Sequence, residues 1–340
     1  MMTISADVLK ERIMTGREYA LIDVRTEGAF AKAHLLFAVS IPLDRLELKF
    51  DRLVPRLDTP IVLCDDGSQL AEQAAERLDG FGYSRIEVLE GGIQGWRESG
   101  YEIFSGINVP SKAFGEFVEK EYGTPRLTAV EIKTMIDAGE KIVILDSRPM
   151  KEFRRINIPG TLCSPGAELV YRVTDAAIDP NTMVIVNCAG RTRSIIGCQS
   201  LINAGVPNRV AALKDGTMGW HLAGFTLEHG QSRTAPPVSE KGLQQAREMA
   251  EKVGTRAGVR RIQASELSEF INQARERSLF LLDVRSPEEF ENGHLLGSCS
   301  APGGQLVQAT DEYVGVRNAT LVLIDDTGVR ATMTASWLLQ

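Results

Sequence analysis

Residues 142–160 read IVILDSRPMKEFRRINIPG. Ile142 to Leu145 run without a polar interruption into Asp146, and Arg148 follows two residues later. A short continuous apolar run closed by polar residues suits a strand of a parallel sheet, buried on both faces. The same pattern stands at 19–35, YALIDVRTEGAFAKAHL, and at 279–297, LFLLDVRSPEEFENGHLLG. Asp23 with Arg25, and Asp283 with Arg285, repeat the Asp-x-Arg ending, and an aromatic follows in each copy at Phe30, Phe153 or Phe290. The chain is therefore a repeat, and the repeat decides the architecture.

A second block recurs after each of these stretches. It reads PIVLCDDGSQLAEQAAERL at 60–78, MVIVNCAGRTRSIIGCQSL at 183–201 and TLVLIDDTGVRATMTASWLL at 320–339. Each is an apolar strand, a tight loop and a helix. Leu70, Ala71, Ala74, Ala75 and Leu78 recur at helical spacing and give one apolar face. A third block occurs twice, as VLEGGIQGW ending in Trp96 and ALKDGTMGW ending in Trp220. Counted from Asp283, its third occurrence would fall past Gln340, so the third copy is expected to lack its last strand and helices. Alternating strands and helices predict an α/β fold with right-handed crossovers and helices on both faces of each sheet. Thr128 and Glu131 form a capping box that opens the second copy. The expected domains are 1–105, 126–230 and 259–340, joined by a linker helix at 106–125 and a linker at 231–258.

Composition narrows the function. With 340 residues, 43% hydrophobic and 24% charged, the chain has the balance of a globular protein of two or three domains. A net charge of −7 argues against a nucleic-acid or anionic-membrane surface. No apolar run is long enough to span a bilayer, and the first residues hold no apolar segment of a secretory signal. The five cysteines, at 64, 163, 188, 198 and 299, are scattered and form no CxxC pair. Neither a disulfide framework nor a metal site is expected, no cofactor is called for, and a reducing cytoplasm fits.

One cysteine stands where chemistry is expected. Cys188 follows the strand Met183–Val186 and precedes a helix beginning near Ser194. The loop between, Ala189-Gly190-Arg191-Thr192-Arg193, can curl so that backbone N–H groups point at one spot. With the positive end of the helix, they make an anion cradle. A cysteine in that field, beside arginine, is favoured as the nucleophilic thiolate without a neighbouring base. Arg191 and Arg193 can offer cationic donors to an oxyanion, and at least one is expected to face substrate.

Asp-x-Arg after a strand, Cys188 in CAGRTRS and Gly-Gly-x-x-Gly-Trp near a domain end together resemble the rhodanese superfamily. The resemblance covers nearly the whole chain outside the connectors, as in multi-domain bacterial rhodaneses. It implies tandem rhodanese-like α/β domains, each a parallel sheet flanked by helices on both faces, with the third copy truncated. It also implies sulfurtransfer by double displacement. Cys188 takes a sulfane sulfur from a small anionic donor such as thiosulfate and passes the persulfide sulfur to cyanide, a small thiol or a protein thiol. The resemblance assigns the substrate loop to Ala189, Gly190, Arg191, Thr192, Arg193 and Ser194.

Copies one and three depart from this pattern. Aligning the helix after the loop places Asp65 opposite Cys188 in the first copy and Asp326 in the third. A carboxylate cannot carry a persulfide, so both copies are expected to be inactive. Cys64, one residue early, and Cys163, Cys198 and Cys299 read as packing residues. Asp146 and Arg148 read as structural, since their equivalents persist in copies without a nucleophile. Trp96 and Trp220 read as core anchors. Two other functions remain open. A phosphatase or arsenate-reductase-like enzyme would place arginine six residues after the cysteine, where this chain has Ser194. A non-catalytic binding or regulatory module describes copies one and three.

Overall fold

The computed structural model describes residues 2–340. The chain divides into two compact units. The first comprises Met1–Pro110, Ile262–Leu281 and Ala309–Val322; the second comprises Ser111–Arg261, Leu282–Gln308 and Leu323–Gln340.

The first copy forms a five-stranded sheet of β1 (Met2–Ile4), β2 (Ala20–Asp23), β3 (Val39–Ser40), β4 (Ile61–Cys64) and β5 (Ile86–Leu89), ordered β1-β5-β4-β2-β3. Every pairing is parallel. The second copy repeats it with β6 (Arg126–Leu127), β7 (Ile142–Asp146), β8 (Leu162–Cys163), β9 (Met183–Asn187) and β10 (Val210–Leu213), ordered β6-β10-β9-β7-β8. The central strands are buried throughout, as their uninterrupted apolar runs require. Trp96 and Trp220 are buried among the core side chains of their own sheets. Thr128 and Glu131 make the capping box, Thr128 Oγ1 accepting from Glu131 N–H and the Glu131 carboxylate accepting from Thr128 N–H at 2.7 Å.

The third sheet is smaller, with β11 (Leu279–Asp283), β12 (Cys299–Ser300) and β13 (Thr320–Ile324) in the order β12-β11-β13. These match the second, third and fourth strands of the larger sheets. In those sheets the first strand bonds only to the fifth. Among the described residues no fifth strand follows β13, and residues 259–263, which stand where a first strand would, form none. Helices Val109–Tyr122 and Glu240–Ala257 lie within the expected connectors 106–125 and 231–258. No helix among the described residues is long and apolar enough to cross a membrane.

The Asp-x-Arg ending does the same work in every copy. Arg148 bonds Asp146 through Nε at 2.9 Å and Nη2 at 2.7 Å, and its Nη2 also reaches the Ile156 carbonyl at 2.8 Å. Arg25 repeats this with Asp23 and the Ala33 carbonyl, and Arg285 with Asp283 and the Gly293 carbonyl. The acceptor carbonyl lies eight residues after the arginine each time. The bidentate pair thus ties each strand end to the segment following its short helix.

Candidate active site

β9 delivers Asn187 and Cys188 to the carboxyl end of the second sheet, where open α/β sheets place their ligands. Asn187 is fully buried and anchored from three sides. Its Nδ2 donates to Asp146 Oδ2 at 2.8 Å and Thr217 Oγ1 at 3.0 Å, and its carbonyl accepts from Ser147 N–H at 2.9 Å and Ser147 Oγ at 2.8 Å. The Cys188 carbonyl accepts from Thr217 N–H at 2.8 Å and Thr217 Oγ1 at 3.1 Å. Gly216 makes this approach possible. Its φ is +56°, and a Cβ there would stand 2.4 Å from the Cys188 oxygen. Asn187, Thr217 and Gly216 escaped the sequence reading. The glycine-rich ALKDGTMGW block was the only signal of Gly216 and Thr217, and the place next to Cys188 was that of Asn187.

Cys188 is 2% exposed, and its thiol donates to Ser194 Oγ at 3.5 Å. Ser194 Oγ in turn donates to the Arg191 carbonyl at 2.8 Å. The helix Thr192–Ala204 begins directly after the loop. Its first turn bonds Ile195 N–H to the Arg191 carbonyl at 3.2 Å, so the N–H groups of Thr192, Arg193 and Ser194 have no partner within the helix. Ala189 is exposed, and its carbonyl accepts from Met218 N–H at 3.1 Å. Gly190 follows it, half-buried.

The two loop arginines point to carboxylates. Arg191 pairs with Glu119 at 2.7 Å and Glu116 at 3.2 Å on the helix Val109–Tyr122. Arg193 grips Glu152 with two bonds of 2.7 and 2.8 Å and reaches Gln305 Oε1 at 3.3 Å. Thr192 is crowded by the same helix, since a Cβ on Gly115 would come within 2.9 Å of its Cγ2.

The other copies show what occupies the corresponding place. In the first copy Val24 N–H donates to the Cys64 carbonyl at 3.2 Å, as Ser147 does to Asn187 at 2.9 Å. Asp65 is therefore the counterpart of Cys188. Its carboxylate accepts from the N–H groups of Gly67 at 2.8 Å, Leu70 at 2.8 Å and Ala71 at 3.1 Å. In the third copy Val284 N–H donates to the Ile324 carbonyl at 3.0 Å. The counterpart there is Asp325, which corrects the expected Asp326 by one residue. Asp325 accepts from the N–H groups of Gly328 at 2.5 Å, Arg330 at 2.8 Å and Ala331 at 3.3 Å. A carboxylate fills the donor ring in both copies. In the second copy those ring positions are held by Gly190, Arg193 and Ser194, and the carboxylate's place is held by Cys188.

The remaining thiols are buried or half-buried. Cys64 ends β4 at the position of Asn187, and burial, with Asp23 adding to it, pushes its thiol well above the ordinary value. Burial pushes Cys198 and Cys163 up to about 12. Cys299 is half-buried in β12.

Comparison with known proteins identifies the family of the fold. The rhodanese-like domain model matches residues 5–99, 128–223 and 263–340. The crystal structure of a thiosulfate sulfurtransferase from Pseudomonas aeruginosa superposes with a TM-score of 0.98 at 53% identity, over 100% of this chain and 64% of that one. A sulfurtransferase from Allochromatium vinosum is 26% identical over 100 residues, 29% of this chain and 92% of that protein. An HTH-type transcriptional regulator from Mycobacterium tuberculosis is 29% identical over 110 residues, 32% of this chain and 47% of that protein. The chain thus spans less than two thirds of both the Pseudomonas protein and the regulator. Three matched segments, covering most of the sequence, place this chain in the rhodanese-like domain family.

Proposed function

We propose that the chain is a sulfurtransferase whose nucleophile is Cys188, with thiosulfate as donor and cyanide or a thiol as acceptor. The observation that carries this reading is the contrast of the three loops. One strand-loop-helix frame surrounds a carboxylate in two copies and a cysteine in one. The likeness to the Pseudomonas thiosulfate sulfurtransferase supports the donor. Residues 126–230 then form the catalytic domain, and 1–105 and 259–340 are non-catalytic.

The reaction follows from the residues present. The Cys188 thiolate attacks the outer sulfur of thiosulfate. The sulfur–sulfur bond breaks, and sulfite leaves with its electron pair. The outer persulfide sulfur then lies beside the N–H groups of Gly190, Arg193 and Ser194, which favour negative charge there. Cyanide attacks that sulfur, thiocyanate leaves, and the thiolate is restored. Alanine at 189 and glycine at 190 keep the loop mouth open to a small anion. A free thiol of this kind belongs in a reducing compartment, which we take to be the cytoplasm.

Intact mass after incubation with thiosulfate tests the reading, with Cys188→Ser alongside. The expected result is a gain of about 32 Da, one sulfur, discharged as thiocyanate on adding cyanide and absent from the variant. Sulfur retained by Cys188→Ser would assign the chemistry to another cysteine. Turnover of a phosphomonoester, lost in Cys188→Ser, would favour the phosphatase reading.

A further inference from the structure

Copies two and three meet each other through equivalent residues. In copy two the Ser164 N–H bonds the Asp146 carbonyl, Gly166 N–H bonds Ser147, and Glu168 N–H bonds Pro165, at 2.8, 3.1 and 2.6 Å. In copy three Ala301, Gly303 and Gln305 make the same bonds to Asp283, Val284 and Pro302, at 2.8, 3.1 and 2.7 Å. Glu168 and Gln305 are therefore counterparts. So are Arg193 and Arg330, each five residues after Cys188 or Asp325, and so are Glu152 and Glu289, each six after the Asp-x-Arg aspartate.

These counterparts cross. Arg193 of copy two bonds its own Glu152 and reaches Gln305 of copy three at 3.3 Å. Arg330 of copy three bonds its own Glu289 at 2.7 and 2.9 Å and reaches Glu168 of copy two at 2.8 Å. The backbones touch in the same reciprocal way. A Cβ on Gly303 would stand 2.8 Å from Ala167 Cβ, and one on Gly304 would stand 2.8 Å from Gly166 N. Residue i meeting j while the counterpart of j meets the counterpart of i is the signature of an approximate two-fold axis.

The symmetry is broken in charge. Arg330 has four carboxylates within ion-pair distance: Glu289 at 2.7 Å, Glu168 at 2.8 Å, Asp326 at 2.8 Å and Asp325 at 3.9 Å. Arg193 has a single ion pair among the described residues, with Glu152, and at the crossing position it meets a neutral amide. Arg193 stands in the first turn of the helix Thr192–Ala204, directly after the Cys188 loop.

We infer that Gln305, from the copy whose loop holds no cysteine, is a specificity-determining residue for the reaction at Cys188. Its neutral side chain meets Arg193 at 3.3 Å without adding the carboxylate that Glu168 gives Arg330, so the loop keeps a positive field for an anionic donor. The inference rests on Cys188 being the nucleophile, as proposed above. Gln305 touches no reacting atom and acts through Arg193.

The test is Gln305→Glu against Gln305→Met in the full chain, with thermal unfolding to confirm that both fold. Cys188 is alkylated with iodoacetate, which is anionic, and with iodoacetamide, which is neutral, and the labelled site is identified by peptide mass. The ratio of the two rates reports local potential and is insensitive to a general loosening of the loop. Gln305→Glu is expected to lower the iodoacetate-to-iodoacetamide ratio by about tenfold, on the order of the effect of one added charge beside Arg193. KM for thiosulfate is expected to rise by a similar factor with little change in kcat, while Gln305→Met leaves the ratio near the parent value. An unchanged ratio in Gln305→Glu, or an equal fall in Gln305→Met, overturns the inference and leaves Cys188 as nucleophile. Failure of either reagent to label Cys188 in the parent overturns both.

Discussion

Arg193 and Arg330 hold the same position in their domains, bond the same glutamate and cross to the same place in the other copy. Those glutamates are counterparts, Glu152 for Arg193 and Glu289 for Arg330, and the two arginines differ in what else surrounds them. Arg330 is fully buried among four carboxylates and lies 4.8 Å over the ring of Tyr171. Arg193 keeps one carboxylate and sits beside a cysteine loop. The comparison teaches how a cation of one frame is committed in two ways. Enclosed by acid groups, it becomes a strut that binds two copies. Left with one partner and a neutral neighbour, it keeps a field for a substrate.

The largest effect should come from removing the strut. Arg330→Met leaves Glu168, Glu289, Asp325 and Asp326 without their shared cation. Breaking a buried pair from one side costs about 3–5 kcal/mol. Denaturant unfolding of the full chain should show the loss in the transition of the second unit. Arg193→Met, more exposed and with a single carboxylate partner, should cost well under half as much while losing more activity with thiosulfate. Equal destabilisation by the two variants would break the comparison. The strut also sets an acid limb. Burial raises the Glu289 carboxyl, but its bonds with Arg330 and Ser286 outweigh this and hold it at about 2, below the ordinary 4.5. A depressed carboxyl stabilises above its unfolded value, so this contribution is lost as pH falls from 4.5 through about 2. Arg330→Met should flatten that limb in thermal unfolding against pH.

A second pair of variants separates frame from chemistry. Gly216 and Gly92 are counterparts with φ of +56° and +53°, and an added Cβ would stand 2.4 Å from the Cys188 oxygen or 2.3 Å from the Asp65 oxygen. Gly216→Ala and Gly92→Ala should each cost about 1–3 kcal/mol through the forced backbone shift. Only Gly216→Ala displaces Cys188, so only it should lower the rate of sulfur loading. A matching loss in Gly92→Ala would show that the first copy does more than carry its own fold.

The sequence made the frame legible because the frame is periodic. Strand runs such as Ile142–Leu145, the Asp-x-Arg endings and the Thr128–Glu131 box each rest on residues within a few positions of one another. The Cys188 loop was legible for the same reason. Register across the third loop was not. Glycine follows Cys188 and Asp65 by two residues but Asp325 by three, and only the strand ladder fixes which aspartate faces the ring. The partners of the arginines were also hidden. Glu152 and Gln305 lie 41 and 112 residues from Arg193, and no local pattern points to them.

The smallest expected effects test the donor ring itself. If Asp65 and Asp325 show what the ring accepts, a carboxylate should fit the second copy as well. Cys188→Asp is then expected to abolish sulfur loading and yet unfold later than Cys188→Ser by about 1 kcal/mol, the worth of charge-assisted bonds from backbone N–H groups. Asp65→Asn should lose a similar amount in the first copy, because its amide presents a donor to the N–H groups of Gly67, Leu70 and Ala71. Opposite shifts in the two copies would mean that one ring holds negative charge in both, supplied by aspartate in one and by the thiolate or persulfide in the other. A Cys188→Asp variant less stable than Cys188→Ser would mean that the second loop has a shape of its own, and that the carboxylates of copies one and three are no guide to where the persulfide sulfur sits.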